Sequence, residues 1–361
     1  MKLSPRESKV SRNALGFCSI MLFSSLTNAQ SSVTLYGIVD SGIAYVTHAG
    51  KSGGENKGSA QMISGGEAAD RWGFRGVEDL GGGLKAVFQL EDGFSIANGT
   101  LQQGGRLFGR QAFVGLQTPY GTVTLGRQKV PIYDYFVPLD PLGYYNWSLV
   151  AQDAQYANRA DNSVKYATNL GPFNFDALYS TGYDATITNG GQIPGEFRVG
   201  QEISGGTSFA SGPIFAAIAY DLRRGTSTTT QGDKEQRIAV GASYQLISAL
   251  KAFAGYKWFN SSVPATAARS DMYYGGLQFR ATPAFVVSAA TYYTDIKSAG
   301  QHPIDFGINC AYSLSKRTSI YGEVNYVKNS NGSNLGVAGF GTGVVAGANQ
   351  TGVAVGINHL F

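Results

Sequence analysis

From Val33 to its last residue the chain alternates apolar and polar side chains with a period of two, segment after segment. Successive side chains of an extended strand point to opposite faces, so each segment reads as a strand with one greasy face and one wet or small face. In TSIYGEVNYVK, Ile320, Val324 and Tyr326 oppose Ser319, Glu323 and Asn325. In YYGGLQFRA, Tyr273, Leu277, Phe279 and Ala281 oppose Gln278 and Arg280, and in GLKAVFQLE, Ala86, Phe88 and Leu90 oppose Lys85, Gln89 and Glu91. The pattern predicts sixteen strands, over residues 33–45, 70–79, 84–92, 108–118, 121–127, 163–169, 172–182, 199–210, 213–222, 236–247, 249–260, 271–281, 284–295, 304–314, 317–328 and 351–361. The last of these sets Val353, Val355, Ile357, His359 and Phe361 against Gly352, Ala354, Gly356, Asn358 and Leu360. It stops on an aromatic, inside the pattern, where most chains fray into polar residues. A final strand that must pair with the first accounts for such an ending.

The connections alternate in length. Short ones read LGGG, TPYG, LGP, SGP, IS, TP and LS, and the Gly and Pro in them set tight turns. Long ones cover 46–69, 93–107, 128–162, 183–198, 223–235, 261–270, 296–303 and 329–350. Short turns at one end and long loops at the other, with an even strand count, describe an all-β, sixteen-stranded antiparallel transmembrane barrel of the outer-membrane type. The connection 128–162 is unlike the rest. It is 35 residues long and holds Val, Ile, Phe, Leu, Trp and five tyrosines. A loop of that length and composition is ordered and packed against something. A barrel of this size leaves an aqueous lumen, so the loop is expected to fold inward and narrow it.

The first residues set the compartment. Lys2, Arg6, Lys9 and Arg12 precede a 13-residue uncharged apolar run, ALGFCSIMLFSSL, and small residues lead to a cut near Ala29. That is the layout of a secretory signal peptide, and the run is too short to span a bilayer. Residues 1–29 are thus expected to be removed, leaving a barrel over 30–361. The whole chain carries a formal charge of +4; without the signal, 24 basic and 23 acidic residues remain, so nothing points to nucleic acid. The mature part keeps one cysteine, Cys310, which excludes an internal disulfide framework and shares the apolar face of Ile308 and Tyr312. Glycine is 49 of 361 residues, about twice the usual share, as suits a barrel. His48, His302 and His359 are scattered without metal spacing, no Gly-x-Ser-x-Gly elbow appears, and the GGG at 81–83 sits in a turn. Neither an enzyme, nor a metal, nor any cofactor is implied.

Charges within the strands place themselves by phase. Trp72 and Phe74 take one face of DRWGFRGVED, so Arg71 and Arg75 take the other, lumenal one. An Arg on the lipid side costs about 2–4 kcal/mol at mid-depth. Arg106 and Arg110 share a face, although Phe113 and Val114 leave that face ambiguous. Arg127 falls in phase with the apolar Val123 and Leu125. Either it lies in a contact between subunits, or the strand ends at Gly126 and the phase is lost.

Four stretches in order, SSVTLYGIVDSGIAY, DRWGFRGVEDLGGGLKAVFQLEDGF, GRQAFVGLQTPYGTVTLGRQ and GINHLF, resemble the general diffusion porins of gram-negative outer membranes, and within them the β-proteobacterial branch. They extend from Ser31 to Phe361. The resemblance implies a homotrimer in outer-membrane lipid, with the third external loop folded into each pore. It implies that the C-terminal strand, through Phe361, is read by the barrel-assembly machinery. It also implies a ladder of wall arginines, here Arg71, Arg110 and Arg159, facing an acid of the inward loop, here Asp140, with Asp134 as a second candidate. The expected function is a passive, water-filled channel for small ions and hydrophilic solutes with weak to moderate anion preference. Arginines that merely brace the wall in salt bridges are the plainer reading of the same residues. A solute-specific channel, with Tyr144, Tyr145 and Trp147 as its candidate aromatic lining, and a surface adhesin or receptor barrel are the alternatives.

Overall fold

The computed structural model describes residues 32–49, 57–143, 145–186, 192–340 and 343–361; the expected signal segment and Tyr144 lie outside them. The chain forms β1 (Ser32–Val46), β2 (Ser59–Ser64), β3 (Arg71–Gly81), β4 (Leu84–Gly93), β5 (Gln111–Thr118) and β6 (Gly121–Lys129). Two short helices follow, α1 (Pro131–Phe136) and α2 (Leu149–Gln152), with single 3-10 turns between and after them. Then come β7 (Arg159–Leu170), β8 (Phe173–Ser180), β9 (Glu202–Ser211), β10 (Ile214–Arg224), β11 (Lys234–Ile247) and β12 (Leu250–Ser261). The rest is β13 (Ala268–Arg280), β14 (Phe285–Ile296), β15 (Ile304–Ser313), β16 (Thr318–Lys328), the small hairpin β17 (Leu335–Gly336) and β18 (Gly339–Phe340), and β19 (Gln350–Leu360).

Each wall strand pairs antiparallel with its neighbours, and β1 pairs with β19 from Ile38↔Leu360 to Val46↔Gly352, so the sheet closes on itself. β2 and β3 lie end to end along β1, on Ser41–Val46 and Ser32–Ile38 respectively, and fill one place in the wall. The barrel therefore has sixteen strand positions, as the alternation predicted. Three differences from the sequence reading stand out. The stretch 46–69, expected as a loop, contains β2. The long connection is shorter at both ends than 128–162, because β6 runs to Lys129 and β7 starts at Arg159. The connection 329–350 carries the hairpin.

The faces follow the period. Ile43 is 65% exposed on the outside while Asp40 and Ala44, one step out of phase, are buried inside. Val114, Leu116, Leu277, Phe306, Ile308, Val324 and Val355 also point outward, the band that a barrel presents to hydrocarbon. The C-terminal residue completes the closure. Backbone bonds link Phe361 and Gly37 in both directions at 3.1 Å. The Phe361 ring lies where a Cβ on Gly37 would stand.

The packed core is inside the barrel, between the inward loop and the wall. Ile132, Phe136, Leu139, Leu142 and Leu149 of the loop are fully buried against Ala219, Ala239, Met272 and Tyr292 of the wall. Burying each such side chain stabilises by roughly 1.5–3 kcal/mol. The wall makes room with small inward residues. Tyr135 lies over Gly206, Leu139 over Gly241, Pro141 over Gly276, Leu142 over Gly307 and Trp147 over Gly352. A Cβ on Gly307 would stand 2.5 Å from Leu142 Cδ1. Polar anchors tie the backbone down. Asn309 donates to the Leu142 carbonyl (2.5 Å), Asn325 to that of Trp147 (2.8 Å), and the Asn146 N–H to the Gly66 carbonyl (3.0 Å). Asp153 accepts from Arg237 (2.8 Å) and Lys257 (2.6 Å). Burial alone would raise its carboxyl, but these two cations hold it well below the usual carboxylate range.

The glycine track has a direct test. A Cβ on Gly276 would collide with Pro141 and stand 2.5 Å from the Ala289 carbonyl oxygen. We expect Gly276→Val to leave a barrel with heat-dependent gel mobility but to unseat the loop, so that limited chymotrypsin digestion cleaves between 131 and 157. Equal resistance of parent and variant would mean that the loop does not need the small residue.

A basic constriction between the inward loop and the wall

The loop is laid against the arc of wall from β8 round to β19, α1 itself packing on β8, β9 and β10, and the side of α1 that carries Tyr133 and Asp134 looks toward the inner surface of β3 to β7. That surface is basic. Arg71 and Arg75 stand on β3, Arg110 just before β5, Lys129 at the end of β6, and Arg159 and Lys165 on β7. Strand phase delivers most of them. Thr34↔Arg75 and Ile38↔Arg71 are same-face pairs across β1 and β3, opposite in phase to the outward Leu35↔Phe74.

Tyr133 of α1 is the point on which they converge. Lys129 Nζ lies 4.6 Å from its ring centroid and the Arg159 guanidinium carbon 5.1 Å, both within cation–π range. Burial pushes the Tyr133 hydroxyl up. The charges of Arg159, Lys129, Arg110 and Arg71 outweigh it and bring the value down to about 8. Arg75 stacks on Tyr36 at 5.3 Å. Tyr36 donates to Glu91 (2.9 Å), and the other oxygen of Glu91 takes Arg110 (2.8 Å). Lys165 is held by Asp134 (2.5 Å), Asp176 (2.9 Å) and the Lys129 carbonyl (3.3 Å). Among the described residues, six cations thus stand with the ion-paired carboxylates of Glu91, Asp134 and Asp176 in this region. Guanidinium keeps its charge at any relevant pH, and a cleft lined by one sign concentrates the opposite ion.

Three of the sequence-derived placements change. Asp140 does not face the opening. It is buried within the loop's own framework, accepting from Ser148 Oγ (2.6 Å), Tyr292 Oη (2.9 Å) and the N–H groups of Leu142 and Leu149 (3.1 and 3.2 Å). Burial raises its carboxyl, and no cation is among the groups that lower it. Arg106 does not share a strand face with Arg110, because β5 begins only at Gln111. It lies in the preceding loop and pairs with Asp161 and Asp184, each at 2.7 Å. Arg127 keeps the outward phase, but its charge is met within the chain by the second oxygen of Asp161 (2.7 Å) and by the Gly109 carbonyl (2.6 Å). The argument that it needed a second subunit therefore falls. Arg71, Arg110 and Arg159 lie around Tyr133, Arg75 stands over Tyr36, and Asp134 pairs with Lys165. Tyr145 and Trp147 are buried against Tyr321 and Gly352 and line no passage.

Sequence reasoning missed Lys129, Lys165 and Tyr133. Lys165 was findable, because Val164 and Tyr166 flank it in the outward phase. Lys129 was not: an irregularity between Gly126 and Gln128 breaks the alternation just before it.

A profile of the Gram-negative porin family matches residues 16–332. An outer membrane porin protein of Bordetella pertussis is 31% identical, the match covering 94% of this chain and 97% of that one. Outer membrane porin protein 32 of Delftia acidovorans is also 31% identical, over 95% and 98%. Among solved structures, an anion-selective porin from Comamonas acidovorans superposes with a TM-score of 0.76 at 30% identity, over 92% of this chain and all of that one. A loop L8 deletion mutant of OmpT of Vibrio cholerae, at 13% identity and a TM-score of 0.65, shares the fold.

The Tyr133 environment can be read by titration. Ultraviolet phenolate absorbance of the parent minus that of Tyr133→Phe should show one tyrosine titrating near pH 8. Its value when folded lies below the unfolded one, so its stabilisation is present above pH 10 and is lost as pH falls through 8. A difference curve with its midpoint at 10 or higher would show that the cations do not act on this hydroxyl.

Proposed function

The chain belongs to the Gram-negative porin family, and from that membership we propose that its basic constriction makes it a weakly to moderately anion-selective pore. As a porin it is a passive channel of the bacterial outer membrane and not an enzyme. The solutes are small ions and hydrophilic molecules that move down their gradients, with no cofactor. The observation that carries the selectivity is the convergence of Arg71, Arg110, Lys129 and Arg159 on Tyr133, where the loop's nearest carboxylate, Asp134, is already engaged by Lys165. The anion-selective porin of Comamonas acidovorans supports the same direction.

The working form in this reading is a homotrimer embedded in outer-membrane lipid, reached after removal of residues 1–29. The seating of Phe361 on Gly37 supports a second part for the terminal aromatic. It closes the barrel, and its strand is the segment that the assembly machinery engages before closure.

Reversal potential under a KCl gradient in a planar bilayer tests the selectivity. The parent should reverse on the chloride side. Lys129→Glu and Arg71→Glu each change the local charge by two units and should lower the chloride-to-potassium permeability ratio by at least about fivefold, since one unit charge alone exerts ~1 kcal/mol at 4 Å in water. Reversal on the potassium side by the parent would sink the charge argument while leaving the channel.

A further inference from the structure

Phe113 is an inward residue that does not suit a water-filled lumen. On β5 the inward positions are Gln111, Phe113, Gly115 and Gln117, alternating with the outward Val114 and Leu116. Phe113 is therefore an aromatic turned into the aqueous space, only partly buried. The residue paired with it across the sheet is Gly126, so no side chain covers the ring from that side. The result is a pocket of about 230 Å³ in the wall between β5, β6 and β7, on the short-turn side of the constriction, facing Asp134 of α1.

The polar groups of the pocket divide into spent and unspent. Gln128 is saturated by Thr124 and Ser163. Lys165 is committed to Asp134, Asp176 and the Lys129 carbonyl. Two groups remain. The Lys129 ammonium touches the Tyr133 ring but has no carboxylate or carbonyl partner among the described residues. The amide of Gln111, only 7% exposed, has no hydrogen-bond partner among them either. An apolar ring surface, one open ammonium and one open amide thus share a small concave site, the arrangement by which a pocket holds an apolar body and orients a polar end.

We infer that this pocket is a binding station for a small aromatic monocarboxylate on its way through the pore. The inference rests on the reading of the barrel as an open channel and adds a solute class to it. The ring packs on Phe113, and the carboxylate meets Lys129 and the Gln111 amide. A cavity of roughly 150 Å³ is enough for benzene, so the pocket takes one ring and its carboxylate but not a fused pair. Asp134 at the rim sets the charge of the guest, because a second negative charge would lie against its carboxylate. That disfavours phosphate and other dianions.

The experiment is single-channel recording in KCl with benzoate or acetate added at equal concentrations. Benzoate should interrupt the current at concentrations where acetate does not. Phe113→Gln, which restores the polarity of its inward neighbours, should raise the half-blocking concentration of benzoate about tenfold, the scale of one aromatic contact. Phe113→Tyr, which keeps the ring, should stay near the parent, and Lys129→Gln should lose benzoate block to a similar extent. Saturation transfer from the detergent-solubilised protein to benzoate, lost in Phe113→Gln, checks the contact directly. Equal action of benzoate and acetate on a parent that conducts normally overturns the pocket alone, as does an unchanged half-blocking concentration in Phe113→Gln. A folded parent that gives no steps in KCl overturns the channel reading and the pocket with it.

Discussion

A sheet in hydrocarbon cannot keep an edge, because each backbone N–H or C=O left without a partner there costs several kcal/mol. Everything else in this protein follows from how that demand is met. β1 must find β19, and the register from Ile38↔Leu360 to Val46↔Gly352 carries the pairing almost to the last residue. Phe361 then adds two backbone bonds to Gly37 and lays its ring over it. Sixteen positions closed in this way enclose more space than inward side chains can fill. The lumen is thus a consequence of closure, and the inward loop is what limits it.

Seating a loop inside a polar barrel calls for both an apolar surface and room. The wall supplies room through glycine at Gly206, Gly241, Gly276, Gly307 and Gly352, one position on each of five strands. The loop supplies the apolar surface through Ile132, Phe136, Leu139 and Leu142. Docking also uses up the loop's acids. Asp140 orders the loop's own backbone, Asp153 holds Arg237 and Lys257 of the far wall, and Asp134 holds Lys165. The basic surface of β3 to β7 is left facing a loop whose carboxylates are engaged. The charge balance of the opening is therefore an outcome of how the loop is anchored.

The strands were legible because lipid on one side and water on the other enforce a strict period of two; all sixteen wall positions follow from it. Arg71 and Arg75 were legible for the same reason. What was not legible depends on contacts between distant segments. Asp140 looked like a pore-facing acid because nothing in its own stretch shows Tyr292 and Ser148 closing over it. Arg127 read as an outward charge needing a partner, and its phase was right, but the partner, Asp161, lies across a register irregularity on β7. Lys129 sits just past the same irregularity, where alternation carries no information. Phe113 left the face of its strand ambiguous because it is an inward aromatic, and that anomaly is where the wall forms a pocket.

The break between β2 and β3 shows how one local departure from the period sets up the constriction. Residues 65–70 leave the sheet between Ser64, paired with Ser41, and Arg71, paired with Ile38. Four more residues are used on this side than on β1, so the segment must bow into the lumen. Its exposed N–H groups find a single acceptor. Gly66, Glu67 and Ala68 all donate to the Asp40 carboxylate at 2.9 Å, and Tyr321 and Asn358 complete its shell at 2.7 and 3.0 Å. A carboxylate with five donors fixes the bow rigidly. The bow in turn offers the Gly66 carbonyl to the N–H of Asn146, which ties down the far end of the inward loop. The same break restarts the strand at Arg71, whose side chain bonds back to the Ala69 carbonyl (2.9 Å) and stands at the level of Tyr133. A strand without the interruption would offer the loop no backbone to grip on this side of the barrel. The position of the first arginine and the anchorage of the loop opposite it thus have one cause, the Asp40 carboxylate.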